Sequence, residues 1–352
     1  MSKVKIAMIG AGNIANAHLA AYKSVPDAEI YAACDINEER LNETCDKFGI
    51  ERRYTDVDEM LKALPELDAA DVCVWNCSHA ECSIKALNAG LHVLCEKPMA
   101  YNAEQAEEMQ KAAEKNGKLL MIGFVLRFSD EAKIAMDFID NGYLGDIYYS
   151  KAQYVRRHGN PGGWFCDKAR SGGGPIIDIG VHVIDLTRYL MGNPKPVSVY
   201  AAAYDNIGKR DYLKTSVGWM PRVAKPDDPC TVEDFATAII RYDNGAVTQL
   251  ETAYSINGED MGKKQIFGTK AGLDLSDGIK LYSVYNDFLA DINVNTQNYK
   301  DSADMFVSEM SHFVDCIVNG TECRAKARDG VEIMRILDAI YESAKTGHEV
   351  IL

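Results

Sequence analysis

A chain of 352 residues, 47% hydrophobic and 26% charged, is long enough for two domains of ordinary size and too apolar for extended disorder. Its 38 Lys and Arg against 52 Asp and Glu leave a net charge of −14, which argues against nucleic acid or an anionic membrane surface as partner. The ten cysteines include no C-x-x-C pair, and Cys73, Cys77 and Cys82 suit no zinc spacing, so reduced thiols, no disulfide framework and no metal site are expected. With no cleavage site near Val4–Gly10 and no window approaching ~20 apolar residues, a cytoplasmic location is expected.

Along the chain, Val4–Ile9 reads as a strand, Ile14–Ser24 as a helix, Glu29–Cys34 as a strand and Glu38–Phe48 as a helix stopped by Gly49. The unit repeats: a helix near Val57–Ala63, a strand at Asp71–Asn76, a helix at Ala80–Ala89, a strand at His92–Cys95, a helix at Ala103–Lys115 and a strand at Lys118–Gly123. This alternation predicts a Rossmann-type, doubly wound parallel sheet over residues 1–125. After a helix at Glu131–Asp140, strand-like runs follow at Ile147–Tyr154, Val197–Tyr204, Phe235–Tyr242 and Ala246–Tyr254, with the hairpin signal Asn244-Gly245 between the last two. Residues 126–352 therefore read as an α+β domain with a large, mainly antiparallel open sheet and a closing helical segment, Met305–Ala344. Gly159–Pro175 and the polar stretch Asp205–Pro229 are either functional loops or loose insertions.

Directly after the first strand stands Gly10-Ala11-Gly12-Asn13-Ile14-Ala15, a G-x-G-x-x-A turn feeding a helix. Gly10 permits the turn, Gly12 lets backbone approach a pyrophosphate, and the N–H groups through Asn13 and Ile14 meet its charge. Asp35, ending the second strand, is placed to accept hydrogen bonds from the adenosine ribose and to repel a 2′-phosphate, which favours NAD over NADP. Further strand ends supply Asn76, His79, Glu96, Lys97 and Arg127 as candidate cofactor contacts, because ligands of open parallel sheets sit beyond the carboxyl ends of the strands. His18, His92, His158, His312 and His348 lie outside any motif and receive no role.

Asn76 and His79, the run Ala89-Gly90-Leu91-His92-Val93-Leu94-Cys95-Glu96-Lys97-Pro98 and the run Gly172-Gly173-Gly174-Pro175-Ile176-Ile177-Asp178-Ile179-Gly180-Val181-His182 resemble the signatures of the glucose-fructose oxidoreductase / inositol dehydrogenase (Gfo/Idh/MocA) family. The similarity continues through Ile266–Gly272 to Ala339–Ala344. It departs at Val74-Trp75, where the family often has Thr-Pro before the asparagine. The resemblance implies Lys97, Asp178 and His182 as a catalytic trio and a homodimer or homotetramer formed through the exposed face of the second domain's sheet.

The chemistry agrees. Asp178 and His182 stand four apart in a run that reads as helical, so they share a face. An alcohol losing hydride also loses its hydroxyl proton, a task for His182 or Lys97. Arg156, Arg157 and Trp164 have the donors and the ring face to grip a carbohydrate, although the arginines suit a carboxylate or phosphate equally. The expected function is NAD-dependent interconversion of a ring alcohol and ketone on a sugar, glycoside or cyclitol. A lyase or hydrolase using NAD transiently, or a sugar-sensing regulator, are the alternatives.

Overall fold

Short apolar runs separated by amphipathic segments become, in a computed structural model describing residues 3–210, 212–214 and 228–352, β1 (Val4–Ile9), α1 (Asn13–Tyr22), β2 (Ala28–Cys34), α2 (Glu38–Phe48), β3 (Arg52–Tyr54), α3 (Val57–Ala63), β4 (Ala69–Val72), α4 (His79–Asn88), β5 (His92–Glu96), α5 (Ala103–Asn116) and β6 (Leu120–Gly123). The six strands form one parallel sheet in the order β3-β2-β1-β4-β5-β6. Parallel strands covered on both faces require apolar side chains at nearly every position, and Ile6, Ala7 and Met8 of β1 are all fully buried. Asp71, equally buried inside β4, breaks that rule.

The chain continues as α6 (Asp130–Asp140), β7 (Ile147–Val155), α7 (Lys168–Ser171), α8 (Val181–Leu190), β8 (Pro196–Tyr204), β9 (Phe235–Tyr242), β10 (Val247–Ala253), β11 (Lys264–Gly268), β12 (Ala271–Asp274), β13 (Lys280–Tyr285), β14 (Phe288–Asn293), α9 (Met305–Asn319), α10 (Ala327–Thr346) and β15 (Val350–Ile351). Nine strands make the second sheet, in the order β14-β13-β12-β11-β7-β10-β9-β8-β15. β7 and β10 pair in parallel, and the other pairings among the described residues are antiparallel. In β9 the inward set Ala236, Ala238, Ile240 and Tyr242 is buried while Ile239 and Arg241 face out, and α8 packs on β7, β10 and β11. The other face carries exposed Tyr200, Tyr204 and Ile239.

Two compact units result: the chain up to Ser129 together with Ala303–Val331, and Asp130–Ser302 together with Glu332–Leu352. α9 packs on α1. Ile122 N–H donates to the Ala325 carbonyl (3.0 Å) at the sheet's β6 edge. One strand is added and two expectations are revised. β3 was not expected, because three polar residues at a sheet edge carry no alternation. The strand expected at Asp71–Asn76 ends at Val72, and Asn76 opens a 3-10 turn. The closing helical segment divides into α9 and α10 around Gly320. The polar stretch Asp205–Pro229 is described only in part, since residues 211 and 215–227 lie outside the described residues. All ten cysteines are free thiols. Among the described residues no helix is long and apolar enough to cross a membrane.

Candidate active site residues

At the end of β1, Gly10 has φ +104°, in the left-handed range, and a Cβ there would strike the Cys73 carbonyl, so conformation and space both demand glycine. Gly12 differs. Its φ is −76°, and a Cβ would meet nothing within 4 Å, so its bareness serves no packing inside the protein and leaves a cradle open to a ligand. α1 starts there without a side-chain cap and without an acidic residue in its first turn, which turns the N–H groups of Asn13 and Ile14 and the positive helix end toward an anion. A pyrophosphate fits these residues.

The Asp35 carboxylate is buried and heavily used. Oδ2 accepts from Ala11 N–H (2.8 Å) and Arg40 Nε (3.1 Å); Oδ1 accepts from Asn37 N–H (2.8 Å) and Arg40 Nη2 (2.7 Å). These four bonds take up a carboxylate's acceptor capacity, so a ribose reaching Asp35 has to displace Arg40. Arg40 is a third exposed. Sequence reasoning missed it, although it lies only five residues beyond Asp35.

Beyond β4, Asn76 is buried in its 3-10 turn, and His79 opens α4 with Nδ1 2.7 Å from the Pro98 carbonyl and Nε2 3.2 Å from the Val74 carbonyl. Burial lowers the His79 pKa, and a neutral ring has one N–H to donate, so the shorter contact carries it. His79 thus ties the end of β4 to the cis Lys97–Pro98 bond. Glu96 Oε2 accepts from Lys97 N–H (3.0 Å), while Oε1 meets Nε2 of His18 (3.0 Å), whose Nδ1 meets Asp71 Oδ2 (2.9 Å). Burial disfavours charge on the His18 ring, yet Cys73 and Asp71 beside it hold its pKa well above the ordinary value. His18, given no role from sequence, is this unit's buried link. The Lys97 side chain is half-buried. Arg127 is only 1% exposed and donates to Asp329 (3.0 Å) and the Arg324 carbonyl (2.5 Å), which fastens Ala303–Val331 to the strand ends. The structure turns this expected cofactor contact into an internal ion pair.

In the second unit, a Cβ on Gly173 would strike the Tyr341 hydroxyl and one on Gly174 the Glu233 carbonyl. Glu233 Oε1 accepts from Gly174 N–H (3.0 Å), Ile176 N–H (3.2 Å) and Tyr341 O–H (2.9 Å). This clamp holds the start of a π-helical turn, Ile176–Gly180, that runs into α8. Asp178 sits in the π turn and His182 in the first turn of α8, both half-buried, so their four-residue spacing crosses a change of helix type that sequence did not reveal. Tyr254, fully buried, donates its hydroxyl to Asp178 Oδ2 (2.8 Å). Burial and the Asp178 charge push the Tyr254 pKa well up, which keeps it a donor. Arg156 donates to the Tyr154 hydroxyl (2.7 Å), lies over that ring at 4.8 Å and feels the Asp178 charge. Arg157 is exposed, with its N–H on Asp260 (2.9 Å), and is not drawn to that group. Trp164 and Phe165 stack at 4.0 Å in the 3-10 turn Gly163–Cys166. Tyr254, Glu233 and Tyr341 went unread because each acts across more than 50 residues of sequence.

Residues 4–124 match the model of the GFO_IDH_MocA oxidoreductase family, NAD-binding Rossmann fold, and residues 137–352 match that family's C-terminal alpha/beta domain. The chain belongs to this oxidoreductase family, and a nicotinamide dinucleotide is its class of cofactor. Among relatives, the D-glucoside 3-dehydrogenase of Escherichia coli K12 is 33% identical over 99% of this chain and 97% of its own length. The myo-inositol 2-dehydrogenase of Thermotoga maritima is 26% identical over 93% and 92% respectively. The crystal structure of aldose-aldose oxidoreductase from Caulobacter crescentus, complexed with glycerol, superposes with a TM-score of 0.81 at 25% identity, covering 99% of this chain and 100% of that one.

The two loop glycines separate by experiment. Gly12→Ala should leave thermal stability within about 1 kcal/mol while weakening dinucleotide binding, read by protein fluorescence quenching, by more than about tenfold. Gly10→Ala should lower the unfolding temperature itself, because strain and the Cys73 collision act on the fold.

Proposed function

We propose that the protein is an NAD-dependent dehydrogenase that oxidises a ring secondary alcohol of a sugar, glycoside or cyclitol to the ketone. One observation carries the reading: Asp178, held by the buried Tyr254 hydroxyl, stands one turn before His182 on a segment whose backbone Glu233 and two space-starved glycines keep in place. The named activities of the E. coli and Thermotoga relatives, a glucoside 3-dehydrogenase and an inositol 2-dehydrogenase, support the substrate class. Both are uncharged polyols.

When bound, the nicotinamide supplies the hydride acceptor. His182 takes the hydroxyl proton as the C–H bond breaks, and Asp178 accepts from a substrate hydroxyl and keeps negative charge beside the imidazole. Lys97, on backbone pinned by Glu96, donates to the reacting oxygen and stabilises its developing charge. Arg156 and Trp164 grip the ring of the sugar.

With methyl glucosides, free sugars and inositols, the absorbance of reduced dinucleotide should grow. A flat trace accompanied by product release would replace net oxidation with a transient redox cycle. His182→Gln should lower kcat by roughly 10²–10⁴ with dinucleotide binding retained; unchanged turnover removes the proton from His182. For the cofactor, we propose NAD, because the 2′-phosphate of NADP would face the Asp35 carboxylate. Asp35→Ser frees Arg40 to take that phosphate as a fork, so the NADP/NAD ratio of kcat/KM should rise in this variant and fall back in Asp35→Ser/Arg40→Ala; an unmoved ratio contradicts the assignment. Finally, we propose that two copies pair through the sheet face bearing Tyr200, Tyr204 and Ile239. Light scattering should give a multiple of the chain mass that Tyr200→Glu/Ile239→Glu reduces to one; a wild-type monomer ends the idea.

A further inference from the structure

Near the C-terminus of α9, His312 and Cys316 stand four residues apart and share a helix face. After Gly320 the chain turns back and returns Cys323 to them. His312 Nε2 lies 3.5 Å from Cys316 Sγ, and these two atoms and Cys323 Sγ are all within 4.8 Å of one another. An ion bound tetrahedrally by imidazole and thiolate, at bond lengths of about 2.0–2.1 and 2.3 Å, places those two ligand atoms ~3.6 Å apart. We propose that His312, Cys316 and Cys323 form a binding site for a thiophilic divalent cation of the zinc class, with the fourth position taken by solvent.

The donors suit such an ion. Two thiolates and an imidazole are a soft set that selects zinc over magnesium or calcium. On binding, the cysteine S–H bonds break, the protons go to solvent, and both sulfurs bond the ion with no change of oxidation state. The 2+ charge then meets two thiolates and a neutral ring, so the site is electrically balanced. His312 Nε2 accepts from Arg324 N–H (3.0 Å), which fixes its proton on Nδ1; binding transfers the Nε2 lone pair from this one hydrogen bond to the ion. Phe128 holds the ring, with centroids 5.3 Å apart.

Solvent reaches part of the site: His312 and Cys316 are half-exposed, and His312, though neither cysteine, lines a surface depression of about 360 Å³ with Asp27 and Asp315, whose charges draw cations. The other convergent set, His18, Asp71 and Cys73, lacks such a route, being fully buried and internally paired. An ion at Cys323 would brace the Cys323–Lys326 turn, which Ile122 and Arg127 already fasten to the first unit.

Cobalt(II) is the probe. Added to the full-length, phosphine-reduced chain, it should bind once, with a thiolate-to-cobalt charge-transfer band and visible bands of tetrahedral intensity. Zinc should then displace the cobalt, release protons and raise the unfolding temperature. Cys316→Ser and Cys323→Ser should each weaken binding by at least ~100-fold, more than the roughly 10–100-fold that loss of an outer-sphere partner costs. His312→Gln, which keeps both thiolates, should shift the visible bands, and Cys82→Ser on α4 should change nothing. A folded wild type with no charge-transfer band, a band that survives Cys323→Ser, or a Cys316–Cys323 disulfide in the freshly isolated chain would overturn the proposal.

Discussion

Both ring nitrogens of His18 face carboxylates, Asp71 at 2.9 Å and Glu96 at 3.0 Å, in a part of the first unit where none of the three is more than 5% exposed. A buried carboxylate left alone is strongly penalised, so each member persists only because the others are in place. The adjacent Cys73 and Tyr22 are pushed well above their ordinary pKa values by burial, and the His18 ring between the two acids is raised well above its own. The chain of contacts runs from α1 through β4 to the end of β5. α1 opens on the cofactor loop, and β5 ends at Glu96, which holds the N–H of the next residue, Lys97. The phosphate cradle and the lysine are therefore set by one interior interaction.

The second unit repeats the device with different parts. One Glu233 oxygen gathers two backbone N–H groups and the Tyr341 hydroxyl, and burial raises its pKa. Such close approach leaves no room for a Cβ at Gly173 or Gly174. The result is a π-helical turn, a geometry regular helices avoid, from which Asp178 projects toward Tyr254. In both units an interior carboxylate holds backbone, and the side chain available for chemistry stands on the backbone so held.

Elements with a clear pattern were legible from sequence: β1, buried on both faces, reads as a continuous apolar run, while α2, α3 and β9 write the burial of one face into the residue order, and all four have the expected bounds. β3 was not legible, nor were β11 to β14, where exposed apolar residues such as Leu289, 92% exposed, dissolve the alternation. Among site residues the motif glycines were readable, but not why each is glycine; Gly10 answers to Cys73 and Gly173 to Tyr341, partners far along the chain. The ion pair that Arg127 makes was not legible, since its partner Asp329 lies 202 residues away. The His312, Cys316 and Cys323 cluster escaped for a related reason, its spacing matching no standard pattern while the turn after Gly320 closes it.

Charge gives the loop chemistry its form. A chain at −14 opposes an anionic cofactor at long range, so affinity has to come from contacts that act only at close quarters. Gly12 permits that closeness, and the uncapped first turn of α1 supplies N–H donors that no carboxylate of the chain has claimed. Arg40, a third exposed, is paired with the Asp35 carboxylate at the end of β2. At the pyrophosphate an acidic protein thus offers backbone N–H groups rather than side-chain cations.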